Sequence, residues 1–430
     1  MTFIIIAAIL LSIAIGYKTK INIGFFAMVF AYLIGCFGMG LKSSQIIDFW
    51  PIKIFFIILS VTLFYNFAMA NGALEKLANH MLYACRRFPA LLPLAIFASA
   101  TLIAALGAGF YTVLAFMAPM TLLLCQKTGM SKVIGGMAVN YGALAGANFM
   151  TSQSGVIFRG LMERAGVSAP DAFTNTTVAF LTTLILPIVV ISAYLLANRR
   201  RLNIRITSER PEAFDRKQKQ SLFLIVTLMA ILLAFPILTI LLPQNGTIAF
   251  LNSKIDIAFM ALIFSVISLF LKLADEKKVV ASIPWGTLIM ICGVGMLIEV
   301  AIKAGVINVL SHWVSTNIPL ILIPLAMCVI GAVMSLFAST LGVVTPALFP
   351  VVPAIAAATG YNPIILFACI IVGAQSSAIS PFSSGGSLIL GSAPEQADRT
   401  ALFNDLLFRA VPLGFGAALL ATMVLQGLMA

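Results

Sequence analysis

Residues 91–126 read LLPLAIFASATLIAALGAGFYTVLAFMAPMTLLLCQ, with no charged side chain and with Gly107-Ala108-Gly109 near the middle. Each arm is shorter than the about 20 apolar residues that a membrane-spanning helix needs. Residues 318–358 read IPLILIPLAMCVIGAVMSLFASTLGVVTPALFPVVPAIAAA, and Ser and Thr interrupt this stretch in a similar way. We therefore predict two re-entrant helical hairpins, each of which enters and leaves the membrane on one side.

The whole chain has the composition of a membrane protein. Of its 430 residues, 61% are hydrophobic and 9% are charged, whereas soluble domains contain about 25% charged residues. These values predict an all-α polytopic membrane protein of the plasma (inner) membrane, with the lipid bilayer around it. The net charge of +12 then reflects the basic residues that orient the spans in the membrane. No nucleic-acid partner is expected.

Apolar runs between charged, Gly or Pro residues predict ten membrane spans. Segment 199–219 follows the fifth span and carries eight basic residues. The positive-inside rule places this segment in the cytoplasm, and counting spans from it places both termini outside. The predicted spans lie at about 3–16, 22–41, 52–71, 133–165, 172–198, 220–242, 253–273, 283–303, 362–393 and 400–428.

The chain also matches itself at a fixed offset. Leu92-Pro93-Leu94-Ala95 aligns with Ile323-Pro324-Leu325-Ala326, and this offset of 231 residues holds without a gap as far as Gly155 and Gly386. Prolines and glycines that recur at one spacing indicate an internal repeat. Each half would hold five spans, and an odd number inserts the second half upside down, as in many secondary transporters. We predict a first repeat at 1–198, a basic cytoplasmic linker at 199–219 and a second repeat at 220–430.

Polar sequences interrupt the helices at four places. The hairpin tips lie at 104–112 and 335–342, and the spans that follow are broken at 146–155 and 376–386. Unwound backbone at membrane depth occurs only beside protein or a water-filled cavity, and a helix that begins there directs partial positive charge at the occupant. These segments predict a site for an anion, with a cation beside it. The alternatives are that the glycines only allow close helix packing and that the hydroxyls bond back to helix carbonyls.

Charged residues are missing from the hairpins and from the broken spans ahead of Arg159. We interpret Arg159 as an interfacial anchor, with contact to an anion as the alternative. Glu299 is spaced i, i+4 from Lys303, and Asp405 has the same spacing from Arg409, which predicts two self-neutralised pairs. A proton relay through a membrane ordinarily uses Asp, Glu or His. The absence of such residues from the predicted hairpins and breaks therefore predicts coupling to Na⁺ held by carbonyls and hydroxyls. Anion exchange and entry of a protonated substrate are the alternatives.

Catalysis is not predicted. Ser152-Gln153-Ser154-Gly155 weakly resembles the GxSG of intramembrane serine proteases, but position 152 is Ser and no predicted core span holds a histidine. His80 and His312 fall in the amphipathic stretches 72–87 and 304–316, which we expect along the membrane interface, with a buried metal ligand as the alternative. The six cysteines form no CxxC pair, so neither a disulfide framework nor a zinc site is predicted.

The order of these elements, with GFYTVLAFMAPM (109–120) and TLGVVTPALFP (340–350) after the two tips, resembles the ion transporter superfamily. The resemblance is in particular to malonate/dicarboxylate carriers and to divalent anion/sodium symporters. It implies a homodimeric elevator, in which a scaffold holds the dimer while the hairpins and broken spans move as a transport domain. The family's Ser-Asn-Thr motif falls here at Gly109, Phe110 and Tyr111 and at Thr340, Leu341 and Gly342. Only Thr340 keeps a comparable hydroxyl, which favours the malonate-carrier branch.

We therefore expect a secondary active transporter for small organic anions, in particular dicarboxylates such as malonate or succinate, coupled to Na⁺. An anion exchanger, an inorganic oxyanion carrier and an ion channel are the alternatives. The substrate site is predicted between the two tips and the two breaks, at Gly109, Tyr111, Thr112, Asn148, Thr151, Ser152, Thr340, Thr345, Ser380 and Ser383. Na⁺ is predicted near Gly107, Gly109, Ala147, Asn148, Ser339, Thr340 and Ser377, and no other cofactor is expected.

Overall fold

A computed structural model of the protein describes residues 2–84, 91–197, 211–242, 245–336, 338–393 and 396–429. Every regular element within these residues is helical, which confirms the predicted all-α class. Cys85 and residues 199–210 of the predicted basic linker lie outside the described residues.

The helices follow one another with short connections. Those before the linker are α1 Thr2–Thr19, α2 Ile23–Tyr32, α3 Ser43–Asp48, α4 Ile52–Ala70, α5 Ala73–Ala84, α6 Leu92–Ile103, α7 Phe110–Thr128, α8 Lys132–Ala147, α9 Gln153–Arg164 and α10 Ala169–Ala197. Those after it are α11 Arg216–Leu241, α12 Gly246–Lys254, α13 Ile257–Phe270, α14 Glu276–Ala281, α15 Trp285–Lys303, α16 Val306–Asn317, α17 Ile323–Ser335, α18 Thr345–Leu348, α19 Val352–Thr359, α20 Pro363–Ser376, α21 Ser384–Gly391, α22 Gln396–Asp405 and α23 Val411–Met429. Wider π-helical turns occupy Leu33–Gly38, Ala104–Ala108, Thr340–Val344 and Leu406–Ala410, and 3₁₀ turns occupy Leu320–Leu322 and Phe349–Val351.

Six helical stretches in the described part of the chain are long and apolar enough to cross a membrane, or seven if the α12–α13 pair, bent by 73°, counts as one span. Length and composition therefore support fewer spans than the ten predicted, because several predicted spans consist of shorter helices. The six stretches are Ile52–Ala70, Ala169–Leu196, Arg216–Phe235, Trp285–Lys303, Thr340–Thr359 and Arg399–Leu428.

One of the six, Thr340–Thr359, lies inside the second predicted hairpin, 318–358. Its returning arm is therefore longer than the short arm predicted there. Pro346, Pro350 and Pro353 each stand in the first turn of a short helical segment. Proline is tolerated at that position because the amide it lacks would have no intrahelical partner. The segments can thus follow one another as one apolar stretch.

The four interruptions lie where the sequence predicts them. A π-helical turn separates α6 from α7, and residues 148–152 separate α8 from α9. In the other half, residues 336–344 separate α17 from α18, and residues 377–383 separate α20 from α21. Re-entry of the hairpins into the membrane stays a prediction.

The helices form two compact units, and each is described by itself. The hairpin-1 unit consists of Phe56–Val156 and Pro187–Pro284, and the hairpin-2 unit consists of Met1–Phe55, Ile157–Leu186 and Trp285–Ala430. The boundaries differ from those of the repeats predicted at 1–198 and 220–430. The units are defined by contacts and the repeats by sequence, so the repeat stays a prediction.

Small residues bring helices close together in both units. In the hairpin-1 unit, a Cβ on Gly142 of α8 would overlap the carbonyl of Phe97 on α6. In the hairpin-2 unit, a Cβ on Gly373 of α20 would overlap the carbonyl of Cys328 on α17. Close approach of this kind is how membrane helices gain packing energy in lipid. The first arm of each hairpin is thereby held against the helix that leads into the break.

A second close approach joins α2 to α15 in the hairpin-2 unit. A Cβ on Gly24 would overlap the carbonyl of Ile289, and a Cβ on Gly293 would overlap the backbone of Gly24 itself. Ala27 and Ala31 continue the buried face of α2. The two backbones are therefore in direct contact along one glycine-lined face.

Candidate functional site

The hairpin-1 tip depends on two glycines with positive φ. Gly107 has φ +97° inside the π-helical turn, and Gly109 has φ +72° at the start of α7. Only glycine adopts such angles at low cost. A Cβ on Gly107 would also overlap the ring of Tyr65, and a Cβ on Gly109 would overlap Oε1 of Gln153. Backbone conformation and close contact therefore both require glycine at this tip.

Two hydrogen bonds hold the first break in place. The Ser152 hydroxyl donates to the carbonyl oxygen of Ala104, in the hairpin tip, at 2.6 Å. The Tyr65 hydroxyl donates to the carbonyl oxygen of Thr151 at 3.3 Å. The tip, the break and α4 thus form one connected polar cluster inside the hairpin-1 unit.

The predicted residues of this unit differ in burial. Asn148, Thr151 and Ser152 are fully buried in the break. Tyr111 is half-buried, with its ring against Phe110, and Thr112 is exposed. The structure therefore brings the break residues and the tip together, and it does not bring Thr112 into the same buried cluster.

The hairpin-2 tip is built from hydroxyl groups instead of glycines. Ser339 accepts the amide of Gly342 at 3.1 Å and so caps the π-helical turn. The hydroxyls of Ser335 and Thr340 are 2.9 Å apart, and the Thr345 hydroxyl donates to the carbonyl oxygen of Thr340 at 3.1 Å. Thr340 and Thr345, both predicted site residues, are therefore neighbours in a buried tip.

The second break is held by serines that bond within the break. The Ser383 hydroxyl lies within donating distance of the carbonyl oxygens of Ala378 (2.6 Å) and Ser380 (2.8 Å), and it accepts the amide of Gly386 at 3.3 Å. The Ser380 hydroxyl accepts the amide of Phe382 at 3.2 Å. Hydroxyls that bond back to nearby carbonyls, the structural alternative raised from the sequence, thus describe Ser383. Among the described residues, no hydrogen bond joins Ser380 or Ser383 to the tip residues Thr340 or Thr345.

One predicted ion pair is confirmed and the other is wrong. Arg409 lies 2.9 Å from Asp405. Glu299 instead pairs with Arg164 at 3.0 Å, and Arg164 also donates to the carbonyl of Phe49 at 2.9 Å. The guanidinium can serve both acceptors because its N–H groups form a planar fork. The Lys303 ammonium lies 5.5 Å from the centre of the Phe49 ring.

The other polar residues singled out from the sequence are the arginine of α9, the two histidines and the cysteines. Arg159 stacks on Phe173, 5.3 Å from the ring centre. His80 forms a 2.9 Å hydrogen bond with the carbonyl oxygen of Glu212, and its ring stacks on Phe214. His312 is exposed. The described cysteines, Cys36, Cys125, Cys292, Cys328 and Cys369, are free thiols.

Sequence reasoning missed two residues of the first cluster. Tyr65 fills the space beside Gly107 and bonds the break, and Gln153 lies against Gly109. The sequence does indicate that Tyr65 is unusual, since a tyrosine inside an apolar span needs a hydrogen-bond partner for its hydroxyl. The partner lies 86 residues away in the chain, so the sequence could not identify it.

Comparisons with known proteins agree with this architecture. Residues 1–147 match the family described as "Dicarboxylate carrier protein MatC N-terminus". This match includes α6, α7 and α8, and it ends just before the first break. No curated protein sequence matches the chain.

Two solved structures share the fold. The Alcanivorax borkumensis YdaH transporter has a TM-score of 0.60 at 17% identity, over 90% of this chain and 87% of that one. Neisseria gonorrhoeae MtrF, described as illuminating a class of antimetabolite efflux pumps, has a TM-score of 0.54 at 12% identity, over 91% and 84%. The protein is thus a multi-pass membrane protein with the fold of these transporters, and its N-terminal part resembles a dicarboxylate carrier family.

Proposed function

We propose that the protein is a secondary active transporter of small organic anions, in particular dicarboxylates such as malonate or succinate. The observation that carries this proposal is the pair of broken helices whose buried linings are uncharged and polar. Asn148, Thr151, Ser152, Ser380 and Ser383 are all buried in the two breaks, between apolar helices. Polar groups in such surroundings are costly unless they serve a ligand or a structural bond.

Matching backbone geometry supports the internal repeat on which the transporter architecture rests. The amide of Ser152 donates to the carbonyl of Phe149 at 2.8 Å, and the amide of Ser383 donates to that of Ser380 at 2.8 Å. Both pairs are related by the offset of 231 residues. Gly129 and Gly360, related by the same offset, both end a helix with positive φ, of 72° and 76°.

An organic anion suits these breaks better than a cation alone. Helices α7, α9 and α21 begin at a tip or a break, and the N-terminus of a helix offers unpaired amides and partial positive charge to an anion. The family match supports a dicarboxylate in particular, because it covers the first hairpin and the helix that leads into the first break.

We propose Na⁺ as the coupling ion, carried with the substrate. Its ligands would be carbonyl and hydroxyl oxygens, which suit a hard cation that is not titrated. Candidate positions are Gly107, Gly109, Ala147 and Asn148 in the hairpin-1 unit, and Ser339, Thr340 and Ser377 in the hairpin-2 unit. Homodimeric elevator movement is the mechanism that the family resemblance implies. Anion exchange and carriage of an inorganic oxyanion are the competing proposals.

Uptake by proteoliposomes tests the proposal. Radiolabelled malonate and succinate should enter saturably under an inward Na⁺ gradient at constant pH, and unlabelled dicarboxylate should compete. In a matched experiment, choline replaces Na⁺ and a pH gradient is imposed across the membrane. Uptake that follows only the pH gradient would remove Na⁺ coupling. Unsaturable flux would indicate a channel, and failure with every carboxylate would refute the substrate class.

A further inference from the structure

The two breaks differ where their second helix begins. Ser383 accepts the amide of Gly386 and so caps α21 with its own side chain. Ser152 stands at the equivalent position before α9, but its hydroxyl donates to the carbonyl of Ala104 in the hairpin tip. Helix α9 therefore starts without the cap that α21 has.

The first amides of α9 are unpaired as a result. The first N–H groups of a helix have no partner within the helix and need one from outside. The amide of Val156 bonds to the carbonyl of Ser152 at 3.0 Å. The amides of Gln153, Ser154 and Gly155 have no hydrogen-bond partner among the described residues. Positive charge from the helix therefore stays available at this end.

Thr151 adds an independent observation at the same place. It immediately precedes Ser152 and is 1% exposed, and its hydroxyl has no hydrogen-bond partner within the described residues. A buried polar atom without a partner calls for a bound molecule or a structural explanation. The equivalent residue before α21 is Phe382, which offers no hydroxyl. The first break therefore holds a buried hydroxyl without a partner among the described residues, at the position where the second break holds a phenylalanine.

We infer that the N-terminus of α9 is the anion subsite of the protein, with the amides of Gln153, Ser154 and Gly155 and the hydroxyl of Thr151 as donors. The subsite takes one carboxylate or inorganic oxyanion group, and the equivalent end of α21 is less suited to it because Ser383 already occupies the amide of Gly386 and Phe382 stands in place of Thr151. This inference rests on the proposed transport of anions and makes it more specific: one charged group of the substrate is recognised by the first half of the chain.

Thr151→Val tests the subsite, because it removes the hydroxyl and keeps the shape of the side chain. Thr121→Val is the matched control. Thr121 lies on α7 in the same unit, is 0% exposed, and also has a hydroxyl without a partner among the described residues. Binding is measured on detergent-purified protein, by the shift in melting temperature during titration with malonate, and separately with sulfate.

The expected result is that Thr151→Val binds malonate about tenfold more weakly than the wild type, while Thr121→Val binds it unchanged. Weakening for malonate alone identifies a carboxylate subsite, and equal weakening for sulfate identifies a general oxyanion subsite. Thr151→Ser keeps the hydroxyl and should bind as the wild type does. If Thr151→Val does not fold, Thr151→Ala takes its place with the same expectation.

Two results overturn the inference. In one, Thr151→Val titrates as the wild type does while proteoliposomes still take up malonate, which leaves the transport proposal intact. In the other, the two valine variants weaken equally, which shows a general effect of losing a buried hydroxyl. If wild-type protein neither takes up carboxylates nor responds to any anion, the subsite and the transport proposal both fail.

Discussion

The two tips and breaks occupy equivalent positions in the chain, yet their structures are stabilised differently. In the hairpin-1 unit, glycines with positive φ form the tip, and the hydrogen bond from Ser152 to Ala104 joins tip and break. In the hairpin-2 unit, Ser339 caps the tip and Ser383 caps the break, each from within its own segment. The same backbone interruption can therefore be achieved by conformational freedom or by side-chain capping. The two solutions should respond differently to substitution.

The largest effect is expected from Gly107→Ala. A left-handed alanine costs about 1–2 kcal/mol, and the overlap with Tyr65 adds about 1–3 kcal/mol. The control is Gly129→Ala, since Gly129 also has positive φ but has nothing within 4 Å of its Cβ position. The free energy of unfolding, measured by denaturation in detergent, should fall clearly further for Gly107→Ala. Equal losses would show that the Tyr65 ring moves aside at no cost.

An intermediate effect is expected from Ser383→Ala. This change removes the cap of α21, and N-cap losses cost about 0.5–2 kcal/mol. Hydrogen exchange should increase in the second break and stay unchanged in the hairpin-2 tip, because the bonds of Ser383 to other described residues all lie within the break and the start of α21. Faster exchange in the tip as well would mean that Ser383 also connects the tip to the break in the hairpin-2 unit.

Ser152→Ala should cost somewhat less stability, about 1 kcal/mol for one hydrogen bond. Its exchange pattern is the sharper measurement. Protection should be lost both at the break and at the tip around Ala104, since this bond joins them. Loss confined to the break would contradict the contrast between the two units.

The smallest effect is expected from Tyr65→Phe. Its hydroxyl bond to Thr151 is long, at 3.3 Å, so its loss should cost about 0.5 kcal/mol. The ring that fills the space beside Gly107 remains in the variant. The melting temperature should therefore change little, whereas Tyr65→Ala should lower it strongly. Similar melting temperatures for the two variants would show that the ring contact contributes nothing.

Local features of the chain could be predicted from the sequence. Glycine, proline and hydroxyl residues mark helix ends directly, and the breaks after Ala147 and Ser376 lie where those residues cluster. Features that depend on tertiary contacts could not be predicted. The partner of Glu299 is Arg164, 135 residues away, and spacing along one helix suggested Lys303 instead. Thr112 is exposed because the rotation of α7 about its axis is set by packing, which the tip sequence does not reveal.

Length and composition support fewer spans than the ten predicted, for a related reason. Hydropathy detects apolar stretches but does not say whether a stretch is one straight helix or several short ones. Residues 340–359 combine a π-helical turn, two short α-helices and a 3₁₀ turn, yet together they have the length of a span. Pro346, Pro350 and Pro353 each stand in the first turn of one of these segments.

The contact between α2 and α15 has a practical consequence for measuring motion. Because Gly24 and Gly293 bring the two backbones into direct contact, we expect the pair to move as one body. Spectroscopic labels on the exposed faces of these two helices should report one constant distance in every ligand state. That distance can serve as an internal reference. The displacement of a label beside a tip or a break can then be measured relative to it.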